Sequence, residues 1–471
     1  PPMPPLLTYL LFGIYAVTIL GIVLVIITDN RNPLKTVPWI VVLLFAPVVG
    51  LLFYFFFGQN LSKRRILSRR KRIHMQLLEA GPDERKELPA QYRPLARLLG
   101  NAGHSIPLCG SRITPYVDGA SKMEALLGDI AAAHDHIHLQ YYILNDDTTG
   151  LRLRNALMAK AREGVEIRIL YDDVGSSSVH KRFFEEMRRA GIEVRPFLHV
   201  KFPLFTSKVN YRNHRKIAVI DGRTGYIGGM NSADRYVVGT DWGTWRDTHF
   251  RVEGPGVAGL QASFLSDWAA TTRIRLRDEH YYPRTERFTH NIMQVLPSGP
   301  FGKWRTLLQA DSYAIANARR RIWIETPYFL PSDVLNTALQ TAALAGIDVR
   351  LLLPARSDSR VVDLATHSFL DDMLKAGAKV YFYQPGFLHS KLLLIDDGLS
   401  VIGSANMDFR SFEHNFEINA FVYDGDFAAV MADIFRRDME QSRLVTPGEW
   451  FHRPRSRRFA ESLMRLFSPL L

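Results

Sequence analysis

His214-Arg215-Lys216-Ile217-Ala218-Val219-Ile220-Asp221, followed by Gly228-Gly229-Met230-Asn231, returns later in the chain as His389-Ser390-Lys391-Leu392-Leu393-Leu394-Ile395-Asp396 and Gly403-Ser404-Ala405-Asn406. Each matched pair lies 175 positions apart (389 less 214, 396 less 221, 406 less 231), so one constellation of His, Lys, Asp and Asn is present twice. Chance supplies roughly a few hundredths of a single such match per chain. Two matches with the same tail mark an internal duplication. The repeat extends outward: Ile137-His-Leu-Gln-Tyr-Tyr142 pairs with Ile322-Trp-Ile-Glu-Thr-Pro-Tyr328, Gly164-Val-Glu-Ile-Arg-Ile-Leu170 with Gly346-Ile-Asp-Val-Arg-Leu-Leu352, and Ala190-Gly-Ile-Glu-Val194 with Ala376-Gly-Ala-Lys-Val380. The order of elements is kept while loop lengths differ. β-branched runs alternate with helical stretches, which predicts an α/β fold of two homologous lobes, 104–285 and 286–447, each a mixed sheet flanked by helices.

In an extended strand alternate side chains share a face, so His214 and Lys216 project together, as do His389 and Lys391. Asp221 and Asp396 stand an odd number of residues beyond each histidine and are expected to be structural. Asn231 and Asn406, reached through small residues that permit close backbone approach, offer amide donors for phosphate binding. Two Lys, two Asn and two His form a pocket for a tetrahedral oxyanion such as a phosphodiester. One histidine would attack phosphorus while the other protonates the departing alkoxide and then deprotonates the incoming hydroxyl. The lysines supply the positive charge that a metal would otherwise give, so neither metal nor cofactor is expected. A catalytic imidazole needs an orienting carboxylate, and Asp247 and Glu417 are placed downstream of the two motifs to serve.

The chain has 471 residues, 47% of them hydrophobic, and a formal net charge of +12. Its single cysteine, Cys109, rules out an intramolecular disulfide. The charge calls for an anionic partner, and the hydrophobic residues indicate which kind. Residues 6–28 and 39–57 carry no charge, and each is long enough to cross a hydrocarbon core of about 30 Å as a helix. They predict a transmembrane hairpin over 1–62, joined by a basic linker, 63–103, to the lobes. Lys63, Arg64, Arg65, Arg69, Arg70, Lys71 and Arg72 follow the second run, which places the lobes in the cytoplasm by the positive-inside rule. After residue 447 a basic tail, 448–471, spaces Phe459, Leu463, Leu466, Phe467 and Leu470 as an amphipathic helix that would meet either membrane or the protein core.

The paired motifs, together with Asn210-Tyr-Arg-Asn-His-Arg-Lys216, Gly243-Thr-Trp-Arg-Asp-Thr-His249, Thr326-Pro-Tyr-Phe329 and Asn415-Phe-Glu417, resemble the phospholipase D superfamily and, within it, the bacterial cardiolipin synthases. The resemblance covers nearly the whole chain. It implies two phospholipase-D-like lobes sharing one active site, and a phosphatidyltransferase of the bacterial cytoplasmic membrane that makes cardiolipin and glycerol from two phosphatidylglycerols. It also implies that His214 is the nucleophile and His389 the general acid and base, with Glu417 orienting His214 and Asp247 orienting His389 across the lobes. Gln140 departs from the carboxylate expected there. Phosphatidylglycerol and anionic lipids are the expected partners, nucleic acid is not, and a homodimer is compatible with the reading. Hydrolysis by the same histidine and a membrane-tethered nuclease are the alternatives; no aromatic-interleaved strand suited to base stacking supports the latter. His134, His136 and His138 alternate with metal-like spacing but lack a completing cluster, so they are read as a polar strand entry. Residues 197–205, apolar for a loop, would be either a core strand or a lip that dips into the bilayer.

Overall fold

A computed structural model describes residues 5–28, 40–42, 50, 88–199, 210–276 and 278–469. The expected second span, the basic run and the tip of the lip, including Phe202 and Phe205, lie almost wholly outside these residues. The first expected span forms a continuous helix, Pro5–Thr28, of 24 residues without a charged side chain. Among the described residues, no helix is long and apolar enough to cross a membrane.

Each copy of the duplicated sequence builds a mixed sheet with the same strand order. In the first, strands Arg112–Tyr116, His249–Glu253, Thr224–Gly228, Ile217–Ile220, His136–Tyr141, Glu166–Asp172 and Glu193–Phe197 lie side by side. In the second, Ile292–Ser298, Glu417–Tyr423, Leu399–Gly403, Leu392–Ile395, Arg321–Glu325, Asp348–Pro354 and Lys379–Tyr383 repeat that order, with Leu108–Cys109 and Ser442–Leu444 added at the edges. The middle strands read Ile-Ala-Val-Ile and Leu-Leu-Leu-Ile and are buried on both faces, as continuous apolar runs should be. Helices begin where a side chain can take up their first free N–H groups: Asp118 accepts from Ser121 N, Asp147 from Gly150 N and Asp424 from Phe427 N.

The lobes do not divide quite where the sequence suggested. Helix Arg93–Gly103, expected as linker, buries Leu95, Ala96 and Leu99 in the second lobe's core. Leu108–Cys109, expected in the first lobe, pairs with Ile292–Met293 of the second. The reason is burial: Leu95 and Leu99 pack among the apolar side chains of that core.

Between the sheets lies one apolar layer drawn from both. Ile217, Val219, Ile227, Phe250 and Val252 meet Leu392, Leu394, Ile402, Ile418 and Ala420. Val257 and Leu260 of helix Val257–Thr272, and Met431 and Phe435 of helix Gly425–Glu440, complete the same cluster. Burying each such side chain contributes about 1.5–3 kcal/mol, so this layer fixes the lobes against each other and aligns the two motifs.

Candidate active site

The sequence predicts that the two His-x-Lys segments are strands. They instead run just ahead of the strands that begin at Ile217 and Leu392, and their backbones pair across the lobes. Gly386–Leu388 lies parallel to Thr244–Arg246, and the His389 amide donates to the Arg246 carbonyl at 2.7 Å. Asn213 makes an isolated bridge with Phe416, and the His214 amide donates to the Phe416 carbonyl at 2.9 Å. The residue after each of these carbonyls is a carboxylate, Asp247 in one case and Glu417 in the other. His214 Nδ1 lies 3.0 Å from Glu417 Oε1, and His389 Nδ1 lies 2.6 Å from Asp247 Oδ2. Each imidazole is therefore held by a carboxylate from the other lobe, leaving Nε2 for chemistry.

Both carboxylates are fully buried and anchored on their far side. Asn415 Nδ2 donates to Glu417 Oε1 at 3.1 Å, the Ser404 hydroxyl donates to Oε2, and the Thr248 amide donates to Asp247 Oδ1 at 2.8 Å. Burial alone would push both upward, yet both are held below the ordinary carboxylate range, Asp247 by Lys391 and His389 and Glu417 by His214 and Lys216. They remain anionic and keep their histidines in one tautomer. Gly229 makes room for Asp247, since a Cβ there would stand 2.1 Å from Oδ1.

Lys216 Nζ donates to the His214 carbonyl at 2.5 Å. Lys391 Nζ reaches the His389 carbonyl and comes within 2.8 Å of Nδ1. That nitrogen cannot both donate to Asp247 and accept from Lys391; the shorter, charge-assisted contact with Asp247 decides the tautomer. Burial lowers both ammoniums, Lys391 to about 8 and Lys216 well below the usual lysine value. Burial also lowers both imidazoles, His389 to about 3 with Lys391 adding to the effect. Lys391 depresses His214 and Lys216 depresses His389, so the motifs lie in one electrostatic field. An anion bound beside Lys216 and Lys391 would favour the protonated forms of these lysines and histidines, which burial penalises.

The remaining candidates are two amides and two aspartates. Asn406 lines a small cavity with Lys391, and its Nδ2 donates to Asp408 at 3.0 Å. Asn231 accepts from the Ile143 amide at 3.0 Å and donates to the Tyr236 hydroxyl at 2.5 Å. Each amide nitrogen carries a second hydrogen for a ligand. Asp221 and Asp396 sit at φ of 52° and 51° and clamp strand entries. Asp221 accepts from the amides of His134, Asp135 and His136, and Asp396 from those of Arg319, Arg320 and Arg321. Among the described residues Asp135, His136 and His280 bring metal-capable atoms within 4.8 Å of one another, but His136 Nδ1 is already engaged by Asp135 at 2.9 Å. His138 is stacked on Phe264 and bonded to Gln261, a buried core histidine.

Two buried ion clusters behind the motifs escaped the sequence reading. Arg215 pairs with Asp267, which also accepts from Gln140 Nε2 at 2.8 Å. The guanidinium crosses to the second lobe, donating to the Glu417 carbonyl at 3.0 Å and the Ser298 carbonyl at 2.7 Å. In the matching place of the second lobe, Arg246 arrives from the first lobe to pair with Asp438, and Glu325 lies 3.8 Å from it. Glu325 has the station of Gln140, and burial next to Asp438 pushes it up to about 8. Both clusters are then neutral overall, one through an amide and the other through a protonated acid. The signal was present, because Gln140 and Glu325 align in the repeat.

A family model described as "Cardiolipin synthase, PLD-like domain" matches residues 126–267 and 313–439, which takes in both motifs, Asp247 and Glu417. The chain belongs to the cardiolipin synthase family of the phospholipase D superfamily. A second model, "Phospholipase_D-nuclease N-terminal", matches residues 16–59. Relatives within the cardiolipin synthase family include cardiolipin synthase 2 of Bacillus cereus, 41% identical over 95% of this chain and 89% of that protein. The major cardiolipin synthase of Bacillus subtilis is 39% identical over 97% of this chain and 98% of its own length. Phosphatidylserine synthase of Haemophilus influenzae shares the fold, with a TM-score of 0.60 at 14% identity over 80% of this chain and 98% of that one. The chain is thus an enzyme of this superfamily, and its two mixed α/β sheets are the superfamily's fold.

Proposed function

We propose that this enzyme joins two phosphatidylglycerol molecules into cardiolipin and releases glycerol, carrying the phosphatidyl group on His214 between two displacements. The observation that supports it is the pair of imidazoles locked by carboxylates of opposite lobes, each with a buried ammonium beside it. His214 Nε2 attacks phosphorus, the bond from phosphorus to the glycerol oxygen breaks, and that oxygen takes the proton from His389 Nε2. The terminal hydroxyl of a second phosphatidylglycerol then returns a proton to His389 while its oxygen attacks phosphorus and frees His214. His389 is neutral in the empty site; the phosphodiester anion supplies the negative charge that draws a proton onto it. Lys216 and Lys391, with N–H groups of Asn231 and Asn406, stabilise the charge on the non-bridging oxygens. These cations stand where a metal would otherwise act.

The same reading makes the chain a multi-pass protein of the bacterial cytoplasmic membrane with its lobes on the cytoplasmic side. The uncharged helix Pro5–Thr28, the N-terminal family match and the Lys and Arg residues that follow residue 62 support it. Purified enzyme incubated with phosphatidylglycerol alone, with lipids followed by mass spectrometry, should yield cardiolipin and glycerol in equal amounts. Phosphatidic acid in place of cardiolipin would assign a hydrolase. The covalent adduct should be recovered on His214, and finding it on His389 would reverse the two roles.

A further inference from the structure

Amphipathic helices ordinarily dock through their apolar face. Helix Arg455–Arg465 does the opposite. Its one fully buried residue is Glu461, 2% exposed, which receives Arg453 at 2.7 Å and Arg457 at 3.2 Å. The same polar side bonds to helix Arg360–Lys375: Arg453 to Asp371, Arg457 to His367, and Arg465 to the Ser368 carbonyl and Asp372. Met464 alone among the helix's larger apolar side chains packs on the core. Phe459, Leu463, Leu466 and Phe467 are left outward, with Phe459 72% and Leu466 74% exposed. Phe459 and Leu463 stand one turn apart on the helix, and Leu466 and Phe467 follow in the turn that closes it, where their amides donate to the Leu463 and Met464 carbonyls. Arg455 stands one turn before Phe459 on that outward side, and Arg458, whose guanidinium lies 3.9 Å from Asp371, flanks it on the side of the docked helix; both are exposed.

A contiguous outward ridge of two Phe and two Leu is costly in water, because each large side chain left exposed forgoes the favourable transfer into an apolar medium. The docked polar face shows why the helix cannot roll to hide it. Rolling would bury the ridge but strip Glu461 and Asp371 of their guanidinium partners, leaving buried charge unpaired. The orientation is therefore locked, and the ridge needs an external cover. Its chemistry selects one, since a cover must accept four apolar side chains and offer anions to Arg455 and Arg458 at the rim. Of the five arginines between residues 453 and 469, Arg453, Arg457 and Arg465 are taken up on the docked side, which leaves Arg455 and Arg458 at the rim.

We propose that the C-terminal helix is an interfacial anchor that lays its apolar ridge into the surface of an anionic bilayer, with Arg455 and Arg458 on lipid phosphates. Such a helix lies in the plane of the interface with its apolar face roughly 5–10 Å below the headgroups. This goes beyond the transferase reading and depends on lipid contact alone, whichever reaction the site performs.

The test uses the full chain bearing an environment-sensitive fluorophore on Leu466→Cys, with Lys181→Cys, exposed on another helix, as the control. The unsubstituted chain, whose one thiol is the buried Cys109, is the blank. The proteins are reconstituted into vesicles of equal parts phosphatidylglycerol and phosphatidylcholine, or of phosphatidylcholine alone, with brominated acyl chains as quenchers. The label on Leu466→Cys should be quenched in the mixed vesicles and that on Lys181→Cys should not. Removing Arg455 and Arg458 as Arg455→Gln and Arg458→Gln should weaken the quenching by about fivefold for each charge lost. Quenching no greater than at the control in either vesicle would overturn the proposal. So would protection of the label that persists in detergent together with a dimeric mass, because a second copy would then be the cover.

Discussion

Replacing Gly229 with alanine puts the catalytic geometry to a quantitative test, because the substitution touches no reacting atom. The added methyl would stand 2.1 Å from Asp247 Oδ1, whereas ordinary contact begins at 3.4 Å, so Asp247 has to withdraw by 3.4 less 2.1, or 1.3 Å. Its other oxygen now bonds His389 Nδ1 at 2.6 Å; a retreat of that size carries the pair to about 3.9 Å, outside hydrogen-bonding range. Losing a hydrogen bond to a charged group costs about 1.5–3 kcal/mol, and misplacing a catalytic group by about 1 Å costs on the order of a hundredfold in rate. Gly229→Ala should therefore lower kcat by about two orders of magnitude. KM should stay within roughly twofold, since the binding groups do not move. The assay is cardiolipin formation from phosphatidylglycerol in mixed micelles, paired with a thermal melt to confirm folding. In an Asp247→Asn background, where the orienting charge is already gone, the alanine should cost little more. A folded Gly229→Ala enzyme within threefold of full rate, or an effect that adds undiminished to Asp247→Asn, would refute the orienting role of Asp247.

Glu417→Gln should likewise cut the rate by orders of magnitude with lipid binding nearly unchanged, because a misoriented imidazole costs rate rather than affinity; an unchanged rate would reduce the pair to scaffold. Acid should destabilise the fold through its buried neutral histidines. His138 and His389 are pushed down to about 4 and about 3, below the value of about 6.5 in an unfolded chain. The unfolded state therefore takes up protons first, and their contribution is full above about pH 6.5 and lost progressively below it. Melting temperature should fall as the pH drops from about 7 to about 4, with a shallower slope in His138→Gln. Glu325 has the opposite sign. Raised to about 8, it lends stability that is complete below about pH 4.3 and lost as the pH rises through its folded value. Glu325→Gln, an amide like Gln140 at the matching station, should thus gain melting temperature over the unsubstituted protein at about pH 9 relative to pH 6; equal losses at both would refute the protonated-acid assignment. Chelators should leave transfer intact, since Lys216 and Lys391 carry the charge that a metal would supply. Activity lost on chelation and restored by one particular ion would point to Asp135, His136 and His280.

The duplicated α/β architecture was legible because a repeat of residues becomes a repeat of strands: the middle strands Ile217–Ile220 and Leu392–Ile395 occupy equivalent stations in their sheets. The histidines, lysines and asparagines could be singled out because they recur at one spacing; Asp221 and Asp396 do clamp strand entries, although the parity that set them apart assumed strands at the motifs. Strand phase at the motifs was not legible. His214 and His389 bond to Phe416 and Arg246 backbones far away in sequence, and no local periodicity encodes a partner at such distance. The lobe boundary failed for a related reason, since nothing in Leu95 or Leu99 says which of two similar cores will bury it. Arg215 reads as one more basic residue in a basic chain until Asp267 and the Glu417 carbonyl are seen around it. The tail showed its amphipathic stripe plainly, but which side faces the protein depended on Glu461 meeting Arg453.

The crossed pairing of imidazole and carboxylate bears on how such a chain could arise. Half of it owns a histidine, a lysine and an asparagine, yet the carboxylate that half carries points at the histidine of the other. An ancestor the size of one lobe could have worked only as two copies facing each other, each lending its acid to its neighbour. With both halves on one chain, the two histidines are free to differ, a specialisation closed to a symmetric pair, in which every change is made twice.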